Sequence, residues 1–257
     1  MVEQPAGLCS MTSSPPVRRN LVIACGALAR EIRALIEVNG FDHLDLVCLP
    51  ASLHNRPELI PEAVRTRIRE KRDQYEKIYC AYADCGTGGM LDSVLAMEGV
   101  PRIGGAHCYA FFAGQEAFAA LAEAEPGTFY LTDFLVRQFE TLVIEGMGLD
   151  RHPDLLGLYF GNYTKLVYLS QTADARLLEQ AKAAAGRLAL AFEHVETGMG
   201  ELAGFIELAA RGEGEPPAAP PAGTFPNEPA SGRPGSVLRR TSARTRGRHR
   251  GRSNRRN

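Results

Sequence analysis

Short apolar runs with the spacing of strands alternate along the chain with longer stretches whose apolar positions recur at helical spacing. Strands are predicted at Leu21–Cys25, Asp45–Ala51, Lys77–Asp84, Pro101–Cys108, Thr128–Thr132 and Lys165–Gln171, with a weaker one at Leu188–Val195. Helices are predicted at Ala27–Val38, Glu58–Tyr75, Met90–Met97, Phe111–Ala124, Phe134–Met147, Ala173–Ala185 and Glu201–Arg211. This order reads as α/β: a doubly wound, mostly parallel, Rossmann-like sheet with helices on both faces. The LVIAC run of Leu21–Cys25 is apolar throughout, which suits a strand covered on both sides. Asn39-Gly40 closes the first helix, and Pro57 and Pro61 flank the start of the second.

Composition divides the chain. Hydrophobic residues make up 45%, enough for a sizeable core. The pattern places a disordered leader at residues 1–19, a single α/β domain at 20–211, and a Pro/Ala/Gly-rich then Arg-rich disordered tail at 212–257. The net charge of −1 hides an asymmetry, because residues 231–257 hold ten arginines and no acidic residue. What remains is an acidic body, which argues against a nucleic-acid-binding fold. The tail has three readings: an extension without a selected role, a flexible arm making weak contact with RNA or another polyanion, or a structural element. It lacks interleaved aromatics, so nothing in it offers base stacking. No apolar run approaches the ~18 residues of a membrane span, and the N-terminus lacks a signal-peptide pattern. A cytoplasmic location without a membrane partner is expected.

In open α/β sheets, ligands bind beyond the carboxyl ends of the strands. The predicted strands deliver Cys25, His54, Cys85, and His107-Cys108 to that rim in succession. Three thiols and an imidazole form a soft-metal set, so Cys25, Cys85 and Cys108, with His54 as fourth ligand, are candidates for zinc or an iron–sulfur cluster. Helix N-termini after Cys25 and Cys85 are expected to lower their pKa values. In an extended strand His107 and Cys108 face opposite ways, and Cys108 is preferred. Burial as inert small hydrophobes is the competing account of these thiols, and Cys48 and Cys80, inside strands, are assigned to the core.

Asp84-Cys85-Gly86-Thr87-Gly88-Gly89 is the richest local signal. Its glycines permit tight turning, and its amides could cradle an anion, making Gly86, Thr87, Gly88 and Gly89 cofactor-binding candidates. It matches neither GxxxxGK[ST] nor GxGxxG. A tight strand-to-helix turn is an equal reading. Asp84 and Cys85 are the catalytic candidates, although Asp84 could equally cap the turn. Asn162, in the Tyr159–Tyr163 aromatic segment, is a further ligand-binding candidate, with core packing of the aromatics as the alternative. Gln171-Thr172 and Thr197-Gly198-Met199-Gly200 form a second tier.

The motifs LVIACGAL, LPASLHNRP, YADCGTGGMLD, GGAHCY, EPGTFYLTDF, GLDRHPDL, YFGNYTKLVYLSQT and ETGMGEL, in this order, resemble the bacterial and archaeal family called domain of unknown function 1638. The resemblance runs from about Asn20 to Ala210. The family's usual YGDCGTGG reads here with Ala83 in the second position. The family has no established activity. Its members often stand beside corrinoid-dependent methyltransferase systems, so the resemblance implies a link to one-carbon methyl transfer and a methyltransferase-system protein as partner. Three functions stay open for the residues themselves. The first is a metalloprotein acting on a small molecule at the strand rim. The second is a metal-free thiol enzyme of racemase or isomerase type, with Cys25 and Cys85 as acid and base. The third is a non-enzymatic accessory protein that delivers a metal or cofactor.

Overall fold

The computed structural model describes residues 19–214. The expected leader and tail lie outside the described residues, apart from Arg19 at one end and residues 212–214 at the other. Within the described residues the strands form two parallel sheets rather than one. In the first, β1 (Asn20–Cys25) lies between β2 (Leu44–Leu49) and β3 (Lys77–Ala81). In the second, β4 (Thr128–Thr132), β5 (Lys165–Ser170) and β6 (Ala191–Glu196) lie in sequence order.

Alternation along β1 explains how the first sheet is wound. Val22 and Ala24 face α1 (Ala29–Asn39), joined there by Phe111, Phe112 and residues 202–210 near the chain's end. Leu21 and Ile23 face the other way, onto α2 (Ile60–Lys71) and α3 (Met90–Glu98). All four β1 residues are fully buried, as the uniformly apolar LVIAC run requires. Gly40 ends α1 in the left-handed conformation at φ 65°, where a glycine carries no Cβ penalty.

Order β2-β1-β3 has a functional corollary. The chain leaves β1 toward β2 through a helix on one face, then crosses back over β1 to β3 through a helix on the other. The topological switch point therefore lies between the carboxyl ends of β1 and β3, where a ligand crevice belongs.

The second sheet is also covered on both sides. Leu131, Leu166 and Tyr168 pack against α6 (Asp133–Arg137), a π-helical segment at Phe139–Glu145, α7 (Leu156–Phe160) and α8 (Ala175–Leu188). Tyr130, Val167 and Leu169 pack against α4 (Cys108–Ala113) and α5 (Gln115–Ala124). The last helix, α9 (Gly200–Arg211), returns to the first sheet and packs on α1 and α4. Thus α4 sits between α9 and β5 and joins the two sheets, while the turn after β1 touches α6.

Pro101–Cys108 differs from expectation. It is not a ladder strand: its one bridge pairs Arg102 with Cys80. Pro101 lacks an N–H, and the Arg102 guanidinium donates to the carbonyls of Tyr82, Ile103 and Gly105 while pairing with Asp92. A side chain takes over part of the bonding a strand neighbour would supply. The segment still runs beside β3, since Asp84 and Cys85 donate to the carbonyls of Gly105 and Ala106. The predicted helix at Phe111–Ala124 is two helices, broken at Gly114, and the one predicted at Phe134–Met147 passes into the π-helical segment. Among the described residues, no helix is long and apolar enough to cross a membrane.

Candidate functional site

Cys25 is the last residue of β1, Cys85 follows β3, and Cys108 opens α4. The first two flank the switch point. Cys108 arrives beside them because the 101–107 segment runs alongside β3 and then turns into a helix at His107, an extended N-cap residue. The three thiols lie within one another's electrostatic reach. Ionisation of Cys85 would be opposed by charge on Cys108 and on Cys25, and that of Cys108 by charge on Cys25. Cys85 also packs against both apolar clusters of the first sheet, one of which Cys108 also borders and the other Cys25.

The electrostatics differ from the expectation of lowered pKa values. Burial is the leading influence on each thiol and pushes all three up. Cys25 is raised by burial against opposing hydrogen bonds from the Ala27 amide and the Tyr82 hydroxyl. Cys108 is pushed up to about 12 although its own amide and that of Tyr109 favour the thiolate. Cys85 is driven well up by burial, with further pressure from Cys108, Cys25 and Asp84. For Cys25 the single 3₁₀ turn at Gly26–Leu28 offers only the Ala27 amide, and for Cys85 no helix starts before Met90. Desolvation wins because a turn of amides cannot replace water around a thiolate.

The DCGTGG loop is a closed knot. The Thr87 hydroxyl donates to Asp84 at 2.6 Å, and the amides of Gly89 and Gly88 donate to the same carboxylate at 2.9 and 3.1 Å. The anion cradled by the glycines is thus the chain's own. Burial presses the Asp84 carboxyl upward, but these donors and Arg102 outweigh it and hold it below the usual range. Asp84 is a staple of the turn rather than a base with a free oxygen. Gly86 is exposed, and its α-carbon faces Pro57, so the loop lies against the turn that carries His54.

This knot forces Cys85 into the left-handed region, at φ 49°. A residue with a Cβ gives up roughly 1–2 kcal/mol there. Cys85→Gly should therefore be more stable than Cys85→Ala by about 1 kcal/mol in urea unfolding. Equal stabilities would show that the backbone at this position carries no strain. Strain held at a rim thiol is the pattern of a functional position.

His54 is exposed in the 3₁₀ turn after β2, on the same rim as Cys25. Asn162 is at the wrong end. It lies exposed just before Thr164, whose amide bonds Gly127 at the amino-terminal edge of the second sheet, opposite the strand carboxyl ends. Its neighbours Phe160 and Tyr163 pack on each other and on Phe129, so the aromatics are core. Cys80 is in the core, fully buried. Cys48 is not: β2 is an edge strand, and Cys48 lies exposed in a shallow groove beside α1. Among the described residues, no group of three or more His, Cys, Asp or Glu side chains stands already arranged as a metal-ligand set.

Two polar groups missed in the sequence border the thiols, and a third acts on one of them. The Tyr82 hydroxyl is buried beside Cys25. The Glu31 side chain on α1 is 4% exposed, its Oε2 bonds nothing, and burial pushes its carboxyl up. Cys108 feels the charge of Glu31. Arg137, on α6 of the second sheet, acts on Glu31 in turn. Glu31 had a visible signal: it falls three residues after Leu28 and four before Leu35, on the apolar stripe of its helix. Arg137 offered only its spacing of four from Asp133.

Asp133, at the carboxyl end of β4, anchors the second rim. Its oxygens accept from the Tyr168 hydroxyl (2.7 Å), the Gln171 amide (3.1 Å) and the Thr172 hydroxyl (2.5 Å), with Arg137 at 3.5 Å. The Gln171 side chain accepts from the Asp133 amide at 2.8 Å and reaches Thr197 at 3.4 Å. The second-tier residues Gln171, Thr172 and Thr197 thus form one network with Asp133. It faces the first rim, since the turn after β1 touches α6.

With this geometry in place, comparison with known proteins adds one finding. The family described as protein of unknown function (DUF1638) matches residues 48–206. The chain belongs to this family. The matched stretch of this DUF1638 protein includes Asp84, Cys85, Cys108, Asp133 and Arg137, while Cys25 and Glu31 precede it. No curated protein and no solved structure matches the chain.

Proposed function

We propose that this DUF1638 protein binds a soft metal, zinc or an iron–sulfur centre, through the thiolates of Cys25, Cys85 and Cys108, and acts on a small molecule at the strand rim. The observation that carries the reading is that three thiols from remote segments stand around the switch point of the first sheet within one another's electrostatic reach. The donor set fits such a group: three sulfurs, with the buried Tyr82 hydroxyl beside Cys25. Side-chain rotation within staggered wells is what would bring the sulfurs into a ligating arrangement. Because burial keeps the thiols protonated, a bound cation has to displace their protons. A bound zinc would supply a Lewis acid or an activated thiolate. The protein's own groups would shield that centre: Asp84 holds the loop closed, and Cys108 is positioned by α4. The family link to corrinoid-dependent methyl transfer is compatible with such a centre.

Zinc titration of the full chain tests this. About one equivalent should bind, with release of protons approaching one per thiol at neutral pH. The uptake should weaken as pH falls, since protons then compete for sulfur. Cys25→Ser, Cys85→Ser and Cys108→Ser should each lose about a hundredfold or more in affinity, on the scale set by outer-shell changes alone. His54→Ala reports separately whether the imidazole is the fourth ligand. Unchanged metal content in all three serine variants ends the proposal.

A second reading is favoured by the positions of Cys25 and Cys85 on either side of the switch point. In it Cys25 and Cys85 exchange a proton at a substrate carbon without metal. Rapid alkylation of Cys25 and Cys85 by iodoacetamide, without chelator and at neutral pH, would support it over the first.

A further inference from the structure

We infer that this chain pairs with a second copy of itself through the edge strand β2, and that the groove beside α1 is the seat of that contact. The pairing is independent of the metal reading and would stand without it.

The first sheet has one side open to pairing. β1 is central, and the far side of β3 is taken by the 101–106 segment, whose Pro101, Gly105 and Ala106 carbonyls accept from Cys80, Asp84 and Cys85. The far side of β2 has no such neighbour among the described residues. Proteins usually guard an edge strand with lysine, proline, a bulge or charged side chains, since its backbone groups invite another chain. The edge strand β6 has such a guard in Glu193 and Glu196. β2 reads LDLVCL and keeps unbroken register with β1 along its whole length. Its one charge, Asp45, is bound by Arg19 and alternates away from the α1 face that Leu44 and Leu46 share.

Beside this edge lies a groove of about 400 Å³, floored by Leu46 and Cys48 and walled by Arg33, Ile36 and Glu37 of α1. Leu44 is buried, Leu46 half-buried and Cys48 exposed, so the cover that α1 gives runs out along the strand. Wall and floor match in length: Ala29 to Glu37 is ~12 Å of helix, and Leu44 to Cys48 ~13 Å of strand. A second copy suits both. A two-fold axis normal to the sheet lays β2 antiparallel to itself and keeps both α1 helices on one face. Passing near Leu46, the axis sets Leu46 against its own equivalent and Leu44 against the partner's Cys48. The helix flanks agree. Arg33 and Glu37 lie one turn apart, carry opposite charge and are 71% and 70% exposed. Antiparallel α1 flanks therefore set Arg33 against the partner's Glu37 and the reverse, so the patch is its own electrostatic complement. The two thiol rims then open at opposite ends of the pair.

Sedimentation and light scattering of the full chain, from about 1 to 100 µM and with chelator present so that no metal bridges two chains, test this. A reversible dimer of the 27.9 kDa chain is expected at the upper end. Arg33→Glu turns both reciprocal pairs repulsive and should raise the dissociation constant about tenfold. Combining it with Glu37→Arg restores opposite charges across the axis and should return the constant to within about threefold of the parent. Both positions are exposed, so these variants keep the fold even where a core change does not. Leu46→Lys sets a charge on the axis and should leave only monomer. Peptide mass spectrometry after brief maleimide treatment should find Cys48 modified about tenfold more slowly in the dimer than in a monomeric variant. A monomer at every concentration, or a dimer indifferent to all of these substitutions, overturns the inference. Shielding of Cys48 in a strictly monomeric chain overturns it too, because another segment of the same chain then fills the groove.

Discussion

Asp133→Ala is expected to lower the unfolding free energy by about 3–5 kcal/mol, the range for removing one partner of a buried charged network. The carboxylate is fully buried and accepts from Tyr168, Gln171, Thr172 and Arg137. Alanine leaves two hydroxyls, an amide and a guanidinium without an acceptor, in a site water does not readily reach. Each orphaned neutral donor costs roughly 1–3 kcal/mol, so the sum exceeds any relief from losing the charge. Asp133→Asn keeps the shape and one acceptor and should lose less. Urea unfolding with unchanged m-value reads the difference. A loss under about 1 kcal/mol would mean that the network is wet and contributes little.

Gly200→Ala should be comparably damaging, for a steric reason. Gly200 opens α9 at φ 49°, and a methyl there would overlap the carbonyl oxygens of Phe111 and Phe112 in the last turn of α4. Backbone cannot swing aside as a long side chain does. Either α9 lifts from α4 or α4 shifts, at about 3 kcal/mol or more in a packed interior. Because α4 carries Cys108 at its start, zinc affinity should fall along with stability. Gly198→Ala is the control: its φ is 60°, but a methyl there meets nothing within 4 Å. It should lose only the left-handed penalty of roughly 1–2 kcal/mol and leave zinc uptake unaltered. Equal effects of the two substitutions would contradict the close α4–α9 contact.

The strand carboxyl ends were legible because period-two alternation and uniform apolarity mark where a strand stops. Leu21–Cys25 and Lys77–Asp84 put Cys25 and Cys85 at their ends on the page before any coordinates. Pro101–Cys108 misled because apolar content resembles a strand whether or not neighbours complete its ladder. There Arg102 supplied bonds that no local pattern encodes. DCGTGG was correctly singled out as special backbone. Whether its amides faced a ligand or Asp84 depended on the direction of one carboxylate. Cys48 shows the same limit, since a strand's interior residues are buried only if another strand or helix covers them.

By itself, the sequence determined the α/β class, the parallel strands, and the placing of Cys25 and Cys85 at or just past strand ends, because these follow from alternation and helix punctuation within a few residues. Only the tertiary structure decided that the strands divide into two sheets, that the thiols are desolvated, and that Glu31 lies within the field of Arg137. Desolvation and charge depend on everything within several ångströms in space, and residues more than a hundred positions apart supply that surrounding.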